Sequence, residues 1–161
     1  MPTTTNYHHG YEDTYDTLAR YIDHARELTA TPVDDRTRIE DPETAYALLA
    51  PIVGTSPKET ALVVTMDTKH RPLAIRMETV GSLDHTFMSP RELFRAAIMD
   101  NAAAVMLAHN HPSGDPEPSR DDERVTRRLV EAGRLLGIEV LDHIVLGAPG
   151  QWTSLARRGL V

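Results

Sequence analysis

The chain has 161 residues, 40% of them hydrophobic, with a formal net charge of −7 and no cysteine. That length suits one globular domain with a proper core, and the missing cysteines exclude disulfides, thiolate metal ligands and a cysteine nucleophile. The acidic balance argues against a broad attraction to nucleic acid, which needs clustered Lys and Arg facing phosphates.

No apolar run is long enough to span a bilayer. The start, M-P-T-T-T-N-Y-H-H-G, lacks the basic and apolar regions of a secretory signal, so a cytoplasmic address is the default expectation. Residues 1–10 read as a flexible tail, with His8 and His9 as neighbours rather than a metal motif. Over residues 12–28, Leu18, Tyr21, Ile22, Ala25 and Leu28 recur at helical spacing and predict an amphipathic helix. Residues 29–40 are polar and read as a linker. Asp41, Pro42 and Glu43 then form a helix-start signal, and the helix through Ala45, Leu48, Leu49 and Ile52 ends near Gly54. Residues 11–54 thus form an N-terminal helical extension to a domain over 55–161.

That domain opens with a β-branched, apolar strand over 60–66, a turn over 67–72 and a hairpin partner over 73–80. His70 belongs to the turn and reads as a surface residue; His85, within the irregular stretch 81–88, reads as a loop residue. Ser89 caps the next helix, with Pro90 at its first position and Glu92 completing a capping box. Leu93, Phe94, Ala97 and Ile98 form its expected buried face. A strand follows over 102–108. The helix opened by Ser119 carries Val125, Leu129, Ala132, Leu135 and Leu136 on one side and stops near Gly137. A strand over 138–146, a turn over 147–150 and a short strand over 152–155 close the chain. Helices and strands alternate, so the economical fold is α/β: a mixed β-sheet flanked by helices.

The chemistry concentrates in A-H-N-H-P-S-G-D-P-E-P-S-R-D-D, residues 108–122. On a strand, positions i and i+2 share a face, so His109 and His111 can share one metal at the strand's carboxyl end. Pro112, Ser113 and Gly114 turn the chain. Ser119 is a natural N-cap with Asp122 at N3, which is either a plain helix cap or a means of returning Asp122 to the strand end as a third ligand. Two imidazoles, one carboxylate and an open fourth position describe a catalytic zinc site.

The spacing His-x-His-x7-Ser-x2-Asp resembles the metal motif of the JAMM/MPN metalloproteases. Ser89-Pro90-Arg91-Glu92, H-N-H-P-S-G-D-P-x-P-S-R-x-D and Leu141-Asp142-His143 resemble the RadC branch of that family, over residues 55–161. The resemblance implies a three-layer, cytidine-deaminase-like α/β domain. It also implies Zn²⁺ on His109, His111 and Asp122, and hydrolysis of a peptide or an isopeptide-linked protein. The family places a glutamate at the start of an early strand, a position Glu59 matches; Glu92 is the other candidate for general base. Ser119, used by the family beside the metal, could donate to a tetrahedral oxyanion while accepting as a cap. His143 reads as a buried, hydrogen-bonded histidine or as a residue orienting a ligand. An alternative of a different class is a DNA-repair accessory role of the RadC type, acting through partners or DNA; a third is a metal-bearing scaffold without catalysis. Residues 11–54 are acidic and too short for the helix-hairpin-helix region of longer members, which weakens direct DNA binding.

Overall fold

The computed structural model describes residues 38–54, 56–80 and 89–161. The expected tail over 1–10, the helix over 12–28, most of the linker and the loop holding His85 lie outside those residues. Among the described residues, eight elements follow in order. They are α1 (Pro42–Val53), β1 (Thr60–Met66), β2 (Pro72–Val80), α2 (Pro90–Met99), β3 (Ala104–Asn110), α3 (Arg120–Leu136), β4 (Glu139–Leu146) and β5 (Trp152–Ser154). The strands form one sheet in the order β2-β1-β3-β4-β5. Only the β3–β4 pair is parallel; the other pairs are antiparallel.

Helices cover both faces, which explains why every residue of β1 and of β3 is buried and why both read as continuous apolar runs. Leu62, Val64 and Met66 with Ala104, Met106 and Ala108 pack under α1 through Ala45, Leu49 and Val53. The alternate residues Ala61, Val63, Val105 and Leu107 pack against Leu93, Phe94 and Ala97 of α2 and Leu129 of α3. The result is the expected mixed α/β sheet in three layers. Among the described residues, no helix is long and apolar enough to cross a membrane.

Local signals place the helices. The Asp41 carboxylate accepts the Thr44 N–H at 2.7 Å, with Pro42 at the first helical position. Ser89 Oγ accepts the Glu92 N–H at 3.2 Å. Gly137, at φ 69°, ends α3 in the left-handed conformation that glycine adopts without steric cost. α1 packs on the sheet, with Tyr46 stacked on Trp152 at a 5.7 Å ring separation. Ile39, at the end of the expected linker, is buried, and its N–H bonds the His70 carbonyl at 3.2 Å.

Two expectations need correction. Ile98, expected in the buried face of α2, is 60% exposed, and Leu135 and Leu136, read on one side of α3 with the buried Leu129, are 88% and 50% exposed. The sheet covers only a narrow stripe of each helix, centred on Phe94 and Ala97 in α2 and on Thr126, Leu129 and Gly133 in α3. The outer apolar positions fall beyond that stripe. Second, β3 runs from Ala104 to Asn110, two residues later than expected at each end. The left-handed turn at Asn101 (φ 53°) delays its start, and pairing with β4 as far as Leu146 extends its end through His109 and Asn110.

One irregularity in the β3–β4 ladder matters for the site. Val105 pairs with Val140, but Met106 pairs with Asp142, so Leu141 is an extra residue. Such a bulge exchanges the two faces of a strand. His143 consequently pairs with Leu107, on the side covered by α3.

The α3 stripe generates a prediction. A Cβ on Gly133 would lie 2.4 Å from the Ile138 carbonyl oxygen and 3.2 Å from Phe94 Cζ. Helix propensity alone would favour alanine by about 1 kcal/mol. Overpacking costs about 1–3 kcal/mol, and a backbone oxygen cannot rotate away. Gly133→Ala therefore lowers stability, on the order of 1 kcal/mol net. The check is the urea midpoint at constant m-value; a raised midpoint would contradict the packing argument.

Candidate metal centre

His109, the next-to-last residue of β3, is 1% exposed. The next residues stay extended because the His111 N–H bonds the Leu146 carbonyl at 2.8 Å. Both imidazoles thus leave the same face of the chain. β1 approaches from the other side. Ala61 pairs with His109, and continuing that antiparallel register sets Glu59 opposite His111.

The loop after β3 returns the chain to this point. Ala148 donates its N–H to the Gly114 carbonyl at 2.7 Å, and His111 Nδ1 bonds the Asp115 carbonyl at 2.8 Å. A Cβ on Gly147 would lie 2.5 Å from the Gly114 oxygen, so this approach requires glycine. Glu117 holds Arg158 through two contacts of 2.6 Å. α3 then opens with a complete capping box. Ser119 Oγ accepts the Asp122 N–H at 3.1 Å, and Asp122 Oδ2 accepts the Ser119 N–H at 2.7 Å. The helix start and the strand end meet here, so the capping carboxylate of Asp122 also lies beside His109 and His111.

One ligating atom each from Glu59, His109, His111 and Asp122 lies within 4.8 Å of all the others. His109 Nε2 stands 3.0 Å from His111 Nε2 and 3.4 Å from Asp122 Oδ1. His111 Nε2 is 3.6 Å from Asp122 Oδ2. Two ligands at a tetrahedral zinc, each about 2.0–2.1 Å from the ion, are about 3.3 Å apart. The three observed separations bracket that value. Both Nδ1 atoms are already engaged, His109 by His143 at 2.8 Å and His111 by the Asp115 carbonyl. The Nε2 atoms and the carboxylates therefore face one another, a grouping that could hold a cation. The donor set, nitrogen and oxygen without sulfur, fits a divalent metal.

The charges respond accordingly. Burial pulls the Asp122 carboxyl upward, but the His109 and His111 rings and the Ser119 hydroxyl outweigh it and hold the group far below the usual carboxylate range. Asp122 in turn raises the pKa of His111, against the effect of burial, with Glu59 adding to the rise. Burial drives His143 the other way, well below its ordinary value, so it is neutral.

The remaining predicted residues divide. Glu92 is exposed on α2, pairs with Arg95 at 3.5 Å and stands outside the metal-capable group. Ser119 lies beside the group, but it does more than accept, as its role as a cap alone would suggest: Ser119 Oγ also donates to Asp122 Oδ2 at 2.6 Å. His143, 1% exposed, reaches the site through His109.

Two residues escaped the sequence. Asn110 points away from the histidines and is 1% exposed. Its side chain accepts the Thr60 N–H at 2.8 Å and donates to the carbonyls of Ser56 at 3.0 Å and Lys58 at 3.3 Å. It thereby holds the segment that carries Glu59. Its signal was a polar residue alternating with the histidines at a core-facing strand position. Thr126, 0% exposed, reaches His143 from α3 and gave no sequence signal.

Comparison with known proteins supplies the family. Residues 39–160 match the RadC-like JAB domain. A UPF0758 protein of Methanosarcina mazei is 40% identical over 144 residues, covering 89% of this chain and 62% of the relative. One from Desulforamulus reducens is 43% identical over 136 residues, covering 84% and 60%. One from Moorella thermoacetica is 48% identical over 126 residues, covering 78% and 55%. The match therefore spans less than two thirds of each of these relatives. With the matched region running from Ile39 at the edge of α1 to Leu160 near the last residue, the chain belongs to the RadC-like JAB domain family.

Proposed function

We propose that this domain is a zinc-dependent hydrolase of peptide or isopeptide bonds. The observation that supports it is the gathering, at the carboxyl end of β3, of one ligating atom each from two imidazoles and two carboxylates within 4.8 Å of one another. His109, His111 and Asp122 would hold the ion. Glu59 would remain free as a base. When bound, zinc polarises a carbonyl and lowers the pKa of water from about 15.7 toward 7.

The protein's own residues supply the rest. Glu59 accepts the proton of the attacking water and passes it to the leaving amine. Its segment is tied to β3 through Asn110, so the carboxylate is positioned before substrate arrives. Ser119 donates to the developing oxyanion. Its proton rests on Asp122 Oδ2, so this donation requires the hydroxyl to rotate while it continues to accept the Asp122 N–H.

Three outcomes test this reading. Purified protein carries near-stoichiometric zinc by elemental analysis, and His109→Ala loses it while remaining folded by circular dichroism; wild-type protein that takes up no zinc would refute the proposal. Glu59→Gln retains zinc but loses about 10²–10⁴ in turnover of a peptide or isopeptide substrate; unchanged turnover would remove Glu59 from the base role. Zinc affinity also depends on pH with a defined sign. A proton on His111 must leave before zinc binds, and Asp122 raises the pKa of His111 above its ordinary 6.5. Affinity measured by competition titration therefore begins to fall above pH 6.5 on acidification, by about tenfold per pH unit for one displaced proton.

A further inference from the structure

A chain of buried hydrogen bonds runs from α3 to the metal-capable group. Thr126 Oγ1 lies 2.7 Å from the Asp122 carbonyl oxygen and 2.6 Å from His143 Nδ1. His143 Nε2 lies 2.8 Å from His109 Nδ1. Thr126, His143 and His109 are 0%, 1% and 1% exposed, so bulk water does not compete for these contacts.

The chain has only one direction. A carbonyl oxygen can only accept, so the single Thr126 hydroxyl proton goes to Asp122. Thr126 must then accept from His143, which places that ring's proton on Nδ1. His143 Nε2 is left as an acceptor, and His109 must donate to it from Nδ1. That leaves His109 Nε2 bare, on the side facing His111 and Asp122. We propose that Thr126 and His143 are positioning residues that fix the tautomer and orientation of His109 so that its Nε2 is available to a metal.

The proposal rests on the metal reading of the site but concerns different residues. It explains two features of the fold. The bulge at Leu141 turns His143 toward α3, where it meets His109; without it His143 would pair with Ala108 on the α1 side. The acceptor at the far end is the Asp122 backbone, so one turn of α3 supplies a carboxylate to the site and also sets the polarity of a histidine on β3. Orienting partners of this kind are commonly worth 10–100-fold in metal affinity.

Replacing the hydroxyl with a methyl of equal size reverses the logic. In Thr126→Val the His143 Nδ1–H loses its acceptor. The ring relieves this by moving its proton to Nε2, which places a proton on His109 Nε2 where the ion must sit. Thr126→Ser keeps the hydroxyl.

The test uses the full chain, zinc and a chromogenic competitor chelator, with long-range ¹⁵N–¹H spectra of the imidazoles in metal-free protein. The expected result has three parts. His109 and His143 both carry Nδ1–H in wild type. Thr126→Val shows protonated Nε2 on both rings and binds zinc about 10–100-fold more weakly. Thr126→Ser binds within a few-fold of wild type and keeps the wild-type tautomers. Equal zinc affinity in Thr126→Val and wild type, or a protonated Nε2 on His143 in wild type, would overturn the proposal. The spectra need no metal, so if wild type took up no zinc the metal reading would fail while the tautomers still decided the relay. Should Thr126→Val not fold, the wild-type tautomers alone support the relay or overturn it.

Discussion

The carboxylate of Asp122 is shared between the fold and the site. Its Oδ2 accepts both the N–H and the hydroxyl of Ser119, and its oxygens face His109 and His111. A carboxylate with a side chain only 12% exposed would ordinarily be costly. Here a helix N-terminus, a capping box and two imidazoles surround it, and each favours the charged form. A capping interaction is worth about 1 kcal/mol, so the cap alone would not hold a charge in this position. The rings stabilise the carboxylate, and the carboxylate draws a positive charge toward the rings. A metal ion answers both needs.

The sheet makes that meeting possible. β1 and β3 are dry along their whole length, and β3 presents its histidine where the ladder ends. At that end the antiparallel register brings Glu59 opposite His111, and the strand's alternation sends His109 and Asn110 to opposite faces. One face gathers the metal-capable atoms. The other ties down the segment leading into β1 through three hydrogen bonds to Asn110. The polar residues His109, Asn110, Thr126, Asp142 and His143 are all buried, and among the described residues no buried side-chain nitrogen or oxygen lacks a partner. Asp142 takes its bonds on the opposite side of the sheet, from Ser154 Oγ at 2.6 Å and the Ala156 N–H at 2.9 Å, which anchors the turn after β5.

Where the sequence misled, burial depended on distant partners. The apolar spacing of α2 and α3 reads the same at Leu93 and at Ile98, or at Leu129 and at Leu136. Only the placement of the sheet determines which of these are covered. Asn110 gives a similar lesson. Its neighbours in sequence are histidines, but its partners are fifty or more residues away at Thr60, Lys58 and Ser56, and one-dimensional spacing carries no record of them. Glu92 and Glu59 were comparable candidates by composition; the β1–β3 register separates them, sending one to the cluster and leaving the other with Arg95.

The sequence by itself determined what depends on local geometry. This includes the two-residue period that puts His109 and His111 on one face, the Ser119–Asp122 box that starts α3, and the proline and glycine signals that bound the helices. These follow from backbone dihedrals and hydrogen bonds spanning a few residues. Only the tertiary structure decided that Glu59 joins the group, that Thr126 reaches His143, and that a one-residue bulge at Leu141 turns His143 toward His109. Each of those depends on register between segments far apart in the chain, and register is set by the packing of both faces of the sheet together.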